Sequence, residues 1–82
     1  MVLKSGRILR IMRRYKVLCE IIQGEEKSRL NFMGMANEVL DEDRLRGAIS
    51  RRVKDINPPY LVSIVRVYDG KILKKEYTDW QF

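Results

Sequence analysis

Residues 41–59, DEDRLRGAISRRVKDINPP, carry the clearest signals of local structure in this chain of 82 residues. The carboxylate of Asp41 is suited to accept hydrogen bonds from the free N–H groups at a helix start, and Glu42 and Asp43 follow where the helix dipole favours negative charge. The two prolines stop such a helix by residue 57, because the residue before a proline is disfavoured in the α region. The pattern therefore predicts a helix over 41–57. Its inner stripe is Leu45, Ala48, Ile49, Val53 and Ile56, and its outward side is Arg44, Arg46, Gly47, Ser50, Arg51 and Lys54.

Two further helices and a short strand are predicted upstream of this stretch. Apolar residues recur at spacings of three and four over 7–23, which is typical of a helix, and Gly24 is a natural stop. A short strand over 28–30 and a helix over 32–40 follow. Gly34 inside that helix is explained by close packing. The stripe of the first helix is Ile8, Ile11, Met12, Tyr15, Leu18, Cys19 and Ile22.

A β-hairpin is predicted downstream. The runs 60–68 and 71–78 are rich in strand-forming residues, and the pair Asp69-Gly70 between them is typical of a two-residue type I′ turn. With that turn, Val67 would face Ile72. The same register would place Val65 opposite Lys74 and Val62 opposite Tyr77.

Composition limits the possible functions. A length of 82 residues predicts one domain, 1–82, and 45% hydrophobic with 34% charged residues is typical of a folded chain. The absence of histidine excludes a Ser/His/Asp triad and histidine-bearing zinc sites. Cys19, the one cysteine, lies among apolar residues at helical spacing, which favours a core position. We therefore expect no catalytic activity, no metal and no cofactor.

The location of the chain in the cell is also an expectation from the sequence. No apolar stretch reaches the roughly 18 residues that cross a bilayer, and Arg7 and Arg10 interrupt the apolar run that a signal peptide needs. These features predict a soluble, cytoplasmic protein.

The net charge of +6 is concentrated in two segments. Residues 1–19 carry six basic and no acidic groups, and residues 44–54 carry five basic and no acidic groups. Residues 20–43 carry seven acidic and two basic groups, and residues 55–82 carry four of each. Such an alternation favours an anionic partner, although basic and acidic segments could also neutralise each other inside the fold.

The order helix, short strand, helix, basic helix and hairpin resembles the winged helix-turn-helix family. The resemblance covers about residues 7–80 and rests on this pattern, with a small residue, Ala36, in the second helix and the capped third helix beginning at Asp41. It implies an α+β fold of three helices, a short strand and a C-terminal two-stranded wing. It also implies that the third helix enters the major groove of DNA, and that the wing reaches the backbone or the minor groove. The implied DNA-binding residues are Arg44, Arg46, Gly47, Ser50, Arg51, Lys54, Arg66, Lys71 and Lys74.

The expected function is therefore binding of double-stranded DNA, in a small transcriptional regulator. The alternative is a winged-helix module for protein contact, in which the acidic segment 20–43 meets a protein partner. A membrane-surface role is less favoured, because so small a domain needs its apolar stripe for its own core, and RNA binding is less favoured because stacking aromatics are few. A homodimer is expected, since DNA sites are commonly two-fold. Its predicted interface is Leu9, Val17, Ile21, Trp80 and Phe82.

Overall fold

A computed structural model describes residues 13–82 as a four-stranded antiparallel sheet with two helices packed on one face. The strands lie in the order β2-β1-β3-β4, so that β1 and β3 are central and β2 and β4 are the edges. The elements in chain order are β1 (Arg14–Gln23), β2 (Glu26–Met35), α1 (Ala36–Val39), α2 (Glu42–Arg52), β3 (Leu61–Asp69) and β4 (Ile72–Gln81).

The prediction of a winged helix-turn-helix is wrong. The fold is mostly β, and residues 13–82 contain no helix-turn-helix. Two β-hairpins, β1-β2 and β3-β4, join through antiparallel pairing of β1 with β3. The helices carry the chain from the end of β2 back to the start of β3, across the sheet face.

The predicted first helix is a strand over 14–23, and residues 7–12 lie outside the part that the structure describes. Tyr15, Val17, Cys19 and Ile21 are buried and alternate with more exposed residues, which is the period of a strand. The helical stripe was misleading because β1 is a central strand with apolar residues on both faces, so that spacings of three and four arise by coincidence.

The second predicted helix is mostly strand as well. β2 extends over ten residues where a strand of three was predicted, and α1 is a single turn that begins at Ala36 rather than Phe32. Gly34 lies in β2, not in a helix, and is buried beneath α1. A Cβ at this position would lie 2.5 Å from Cγ1 of the buried Val39, so the glycine allows α1 to approach the sheet closely.

Helix α2 is present where it was predicted. The side chain of Asp41 accepts a hydrogen bond from the backbone N–H of Arg44 at 3.2 Å, which confirms the predicted cap. Leu45, Ala48 and Ile49 form its buried side, as the pattern indicated. The helix ends at Arg52, five residues before the predicted end at residue 57.

Both hairpins turn through a two-residue loop that begins with glycine. Gly24 and Gly70 have φ angles of +61° and +62°, a conformation that glycine adopts without strain. The second loop is Gly70-Lys71 rather than Asp69-Gly70, so Asp69 faces Ile72. The predicted register is therefore wrong. Val67 faces Lys75, Val65 faces Tyr77 and Val62 faces Trp80.

The edge strand β4 has two irregularities. The pairing of β3 with β4 shifts between Val67 and Tyr68, and Asp79 adopts a φ of +57°. Pairing of β1 with β3 also shifts, between Glu20 and Ile21. The pairing of β1 with β2, by contrast, runs from Arg14↔Met35 to Gln23↔Glu26 without a shift.

The core lies between the helices and one face of the sheet. It contains buried residues from α1, α2, β1, β3 and the end of β4, together with Tyr60 just before β3. The opposite face of the sheet carries no helix in the described part of the chain. The core residues are Tyr15, Val17, Cys19, Ile21, Val39, Leu45, Ile49, Tyr60, Val62, Val65, Val67 and Trp80.

We predict opposite effects for alanine at two glycines. Gly34→Ala pushes a methyl group against Val39 and should lower the free energy of unfolding by about 1–3 kcal/mol, the usual cost of overpacking. Gly47→Ala, inside α2, meets only the flexible end of Arg51 at 3.3 Å and should raise it by up to about 1 kcal/mol through helix propensity. Urea denaturation measures both values. A Gly34→Ala variant as stable as the wild type would contradict the close approach of α1 to the sheet.

Candidate nucleic-acid interface

The arginines of α2 are occupied by contacts within the chain. Arg44 Nη1 donates to the carbonyl oxygen of Asn37 at 3.4 Å, and Arg51 Nη2 lies 3.2 Å from Glu38 Oε2. Arg52 donates to the carbonyl of Ala48 and its guanidinium lies 4.2 Å from the centroid of the Phe32 ring.

Arg46 is held most firmly of these side chains. Its guanidinium carbon lies 5.0 Å from the Trp80 ring centroid and 4.7 Å from that of Phe82, distances typical of cation–π contact. Its Nη2 atom also donates to the carbonyl oxygen of Gln81 at 2.8 Å. Arg46 therefore fastens α2 to the end of β4.

The other predicted DNA-binding residues fall in two places. Gly47 and Ser50 lie on α2, and Lys54 follows the helix. Arg66, Lys71 and Lys74 lie on the β3-β4 hairpin, which follows α2 in the sequence. The predicted DNA-binding residues therefore form two groups, one on and just after α2 and one on the β3-β4 hairpin.

A dense group of basic side chains lies at the end of the sheet where β1 begins and β3 turns into β4. Lys16 is directly opposite Tyr68, which in turn faces Leu73, and Arg66 faces Leu18 and Glu76. These pairings place the group on a few neighbouring rungs of adjacent strands about 4.8 Å apart. We call it the basic end. It consists of Arg13, Arg14, Lys16, Arg66, Lys71, Lys74 and Lys75.

The basic end holds all the positive excess of the described residues. Its seven basic groups are accompanied by two acidic ones, Asp69 and Glu76, for a net charge of +5. The other residues of 13–82 carry seven basic and nine acidic groups. The rest of the described chain therefore has a small negative excess of 2, and its acidic groups include Glu42 and Asp43 in the first turn of α2.

Most of the charges at the basic end have no acidic partner. Arg13 pairs with Asp69, and Arg66 Nε lies 2.7 Å from Glu76 Oε2. The hydrogen bond from Arg66 to Glu76, and then the attraction of the same carboxylate, raises the pKa of the Arg66 guanidinium. Within residues 13–82, no carboxylate lies within 4.0 Å of the remaining five cations. These are Arg14, Lys16, Lys71, Lys74 and Lys75.

The uncovered face of the sheet continues from the basic end. Leu18 and Ile64 are half-buried on it, beside Arg29, Asn31 and Arg66, and together they line a shallow depression of about 280 Å³. Aromatic side chains are almost lacking there. Six of the seven aromatic residues of the chain belong to the core or pack against it, which leaves Tyr68.

The half-buried Tyr77 of β4 lies near the acidic start of α2. Burial, and then the nearby carboxylates of Glu42 and Asp41, raises the pKa of the Tyr77 hydroxyl. This links the acidic first turn of α2 to the inner face of β4. Within the acidic segment 20–43, Glu20 lies on β1 and accepts a hydrogen bond from the Ser63 hydroxyl on β3 at 3.3 Å, whereas Glu42 and Asp43 lie in the first turn of α2.

The predicted dimer interface lies largely inside the core. Val17, Ile21 and Trp80 are buried by the chain itself, and the partly buried Phe82 stacks on Tyr60 with 5.1 Å between ring centroids. Leu9 lies outside the described residues. These side chains therefore serve the packing of one subunit.

Sequence reasoning missed Arg13, Arg14 and Lys16 as members of the basic end. Arg14 and Lys16 alternate with the buried Tyr15 and Val17, and this period of two was the available signal for a strand face. Lys75 is recognisable from the sequence as part of the basic hairpin, together with Arg66, Lys71 and Lys74.

Residues 13–82 contain no candidate metal-binding cluster, and their one cysteine is buried. No cluster of three histidine, cysteine or acidic residues is placed to hold a metal ion there. Cys19 is 4% exposed, and burial raises the pKa of its thiol to about 12. Neither helix of this part of the chain is long and apolar enough to cross a membrane.

Comparison of the chain with protein-family models, with curated proteins and with solved structures found no match.

We predict that Arg46 contributes to stability. Arg46→Ala removes its stacking on Trp80 and Phe82 and the hydrogen bond to Gln81, and should lower the free energy of unfolding by about 1–2 kcal/mol. Arg44→Ala, on the exposed side of the same helix, is the matched control and should stay within about 0.5 kcal/mol of the wild type. Chemical denaturation followed by Trp80 fluorescence measures both. Equal destabilisation of the two variants would argue against a specific role for Arg46.

We also predict that Cys19 is inert in the folded protein. At pH 8 its buried thiol, with a raised pKa, should react with iodoacetamide only through unfolding, because the thiolate is the nucleophile. Mass spectrometry follows the alkylation. Addition of urea beyond the unfolding midpoint should restore the rate of an ordinary cysteine, and fast alkylation without urea would contradict the buried position.

Proposed function

We propose that this chain binds double-stranded DNA through the basic end of its sheet, and not through α2. The observation that carries the proposal is the contrast between the two sets of basic residues. Five cations of the basic end lack acidic partners within residues 13–82, whereas the arginines of α2 are engaged in their own chain. Cations without an acidic partner can neutralise phosphates and release their counterions without first giving up a contact within the chain.

The spacing of these cations suits a run of phosphates. Arg14 and Lys16 are two residues apart on the same face of β1, about 7 Å along the strand. Lys71 lies in the loop at the same end of the sheet, and Lys74 and Lys75 follow on β4. Long lysine and arginine side chains at such positions reach several phosphates at once, which gives affinity and register without reading bases.

A duplex is favoured over a single strand by the position of the aromatic residues. Single-strand binding depends on stacking of successive bases on exposed aromatic rings. With six of seven aromatics in or against the core, Tyr68 alone is available on the uncovered face, and one ring does not form a stacking platform. A charged surface without such rings is typical of backbone contact with duplex DNA.

The proposal is tested with two triple variants that remove the same charge from different places. Lys16→Gln/Lys71→Gln/Lys74→Gln neutralises three residues of the basic end. Lys27→Gln/Arg29→Gln/Lys54→Gln is the matched control, because it removes three positive charges from other parts of the surface. Fluorescence anisotropy with a labelled duplex of random sequence, recorded at several salt concentrations, gives the affinity and its dependence on salt.

We expect wild-type binding to weaken steeply with salt. The basic-end variant should weaken it further and reduce the slope of log K against log salt by about 3, one for each phosphate that the variant no longer neutralises. The control variant should keep the wild-type slope. Equal effects of the two triple variants would show that only net charge matters, and absence of salt-dependent duplex binding by the wild type would overturn the proposal.

A further inference from the structure

The tip of the β3-β4 hairpin combines exposed apolar side chains with lysines. Residues 70–76 are exposed without interruption, although they include the start of a paired strand. In the described part of the chain, three large apolar side chains are exposed. They are Ile72 at 63%, Leu73 at 45% and Met33 at 48%. Two of these three are therefore neighbours at one hairpin tip.

Ile72 and Leu73 project to opposite faces of the hairpin. Successive strand residues alternate in direction, so that Ile72 lies on the side of Asp69 and Leu73 on the side of Tyr68. The helices do not reach this far, since neither side chain belongs to the core or to the residues packed against it. The turn end of the hairpin therefore carries an exposed apolar residue on each of its two faces, and Arg13 at the start of β1 lies beside it, paired with Asp69.

We propose that this tip acts as a wedge that enters a base step of duplex DNA, unstacks it and bends the helix. The inference rests on the proposed function, because it is the basic end that would bring the tip to the duplex. Proteins that kink DNA insert isoleucine, leucine or similar side chains between bases while cations hold the flanking phosphates. Lys71 precedes the apolar pair, and Lys74 and Lys75 follow it.

The lysines around Ile72 and Leu73 would attract the phosphates of DNA to the hairpin tip. The pair is enclosed in the sequence Gly70-Lys71-Ile72-Leu73-Lys74-Lys75, and no acidic residue lies between Asp69 and Glu76. Both of those carboxylates are already paired, with Arg13 and Arg66. An anionic backbone on either side of the tip would therefore meet three free lysines and no free carboxylate.

The wedge also defines a class of preferred sites. Pyrimidine–purine steps, above all TA, unstack and kink at the lowest cost. The chain would therefore bind best where such a step lies beneath the tip. Preference of this kind needs no hydrogen bonds to base edges.

The experiment separates bending from binding. A short duplex with a central TA step carries a donor and an acceptor dye at its ends, and a second duplex carries 2-aminopurine beside the step. For the wild type we expect closer dye ends, corresponding to a kink of about 20–90°, and a rise in 2-aminopurine fluorescence as the base unstacks.

Ile72→Ala/Leu73→Ala should abolish both signals while the salt dependence of binding stays at the wild-type value, because no phosphate contact is removed. Met33→Ala is the matched control, since it truncates an equally exposed side chain on β2 and should leave both signals unchanged. Circular dichroism melts check that the variants fold, as expected for exposed positions.

Each contrary result has a distinct meaning. Duplex binding by the wild type without bending or unstacking overturns the wedge and leaves the proposed function in place. Absence of salt-dependent duplex binding overturns the proposed function first, and the wedge with it. Flotation with vesicles that contain anionic lipid, abolished in Ile72→Ala/Leu73→Ala, together with an unbent duplex, would assign the tip to a membrane surface and overturn the wedge.

Discussion

Leu45 and Ile49 of α2 pack into one cluster with Val17, Val62 and Val65 of the two central strands, and all five side chains are completely buried. Burial of each leucine or isoleucine is worth about 1.5–3 kcal/mol, so this contact between one helix and one sheet face supplies much of the stability of so small a molecule. The other elements depend on it. Gly34 lets α1 lie close to the same face, and Arg46 fastens the helix to the end of β4.

This single layer of helix divides the charged residues into two groups. Arginines near the core direct their alkyl stems and guanidinium groups towards aromatic rings and carbonyl oxygens, and so become part of the packing. Beyond the reach of the helix, at the basic end, cations have no such partners. The arginines of α2 are thus in contact with their own chain, whereas five cations of the basic end have no acidic partner within residues 13–82.

Local chemistry could be predicted from the sequence where a few neighbouring residues decide it. The cap at Asp41, the buried side of α2 and the presence of a hairpin near Gly70 were all within reach of such rules. The strand β1 was not, because the run Val17-Leu18-Cys19-Glu20-Ile21-Ile22 satisfies a helical period and a strand period together. Only its pairing with β2 and β3 on both sides decides between them, and that is tertiary information. The members of the basic end at the start of β1 were missed for the same reason, whereas Arg66, Lys71 and Lys74 on the second hairpin were among the predicted DNA-binding residues.

The two edges of the sheet differ in a way that bears on self-association. β4 combines lysines, a register shift and the left-handed Asp79, and each of these hinders the addition of another strand along its open hydrogen-bonding groups. β2 pairs with β1 in unbroken register over its whole length, and no strand of residues 13–82 pairs with its outer edge. Strand addition from a neighbouring molecule, the first step towards a filament, is therefore directed to β2, where Glu26, Lys27 and Arg29 are the charged residues that oppose it.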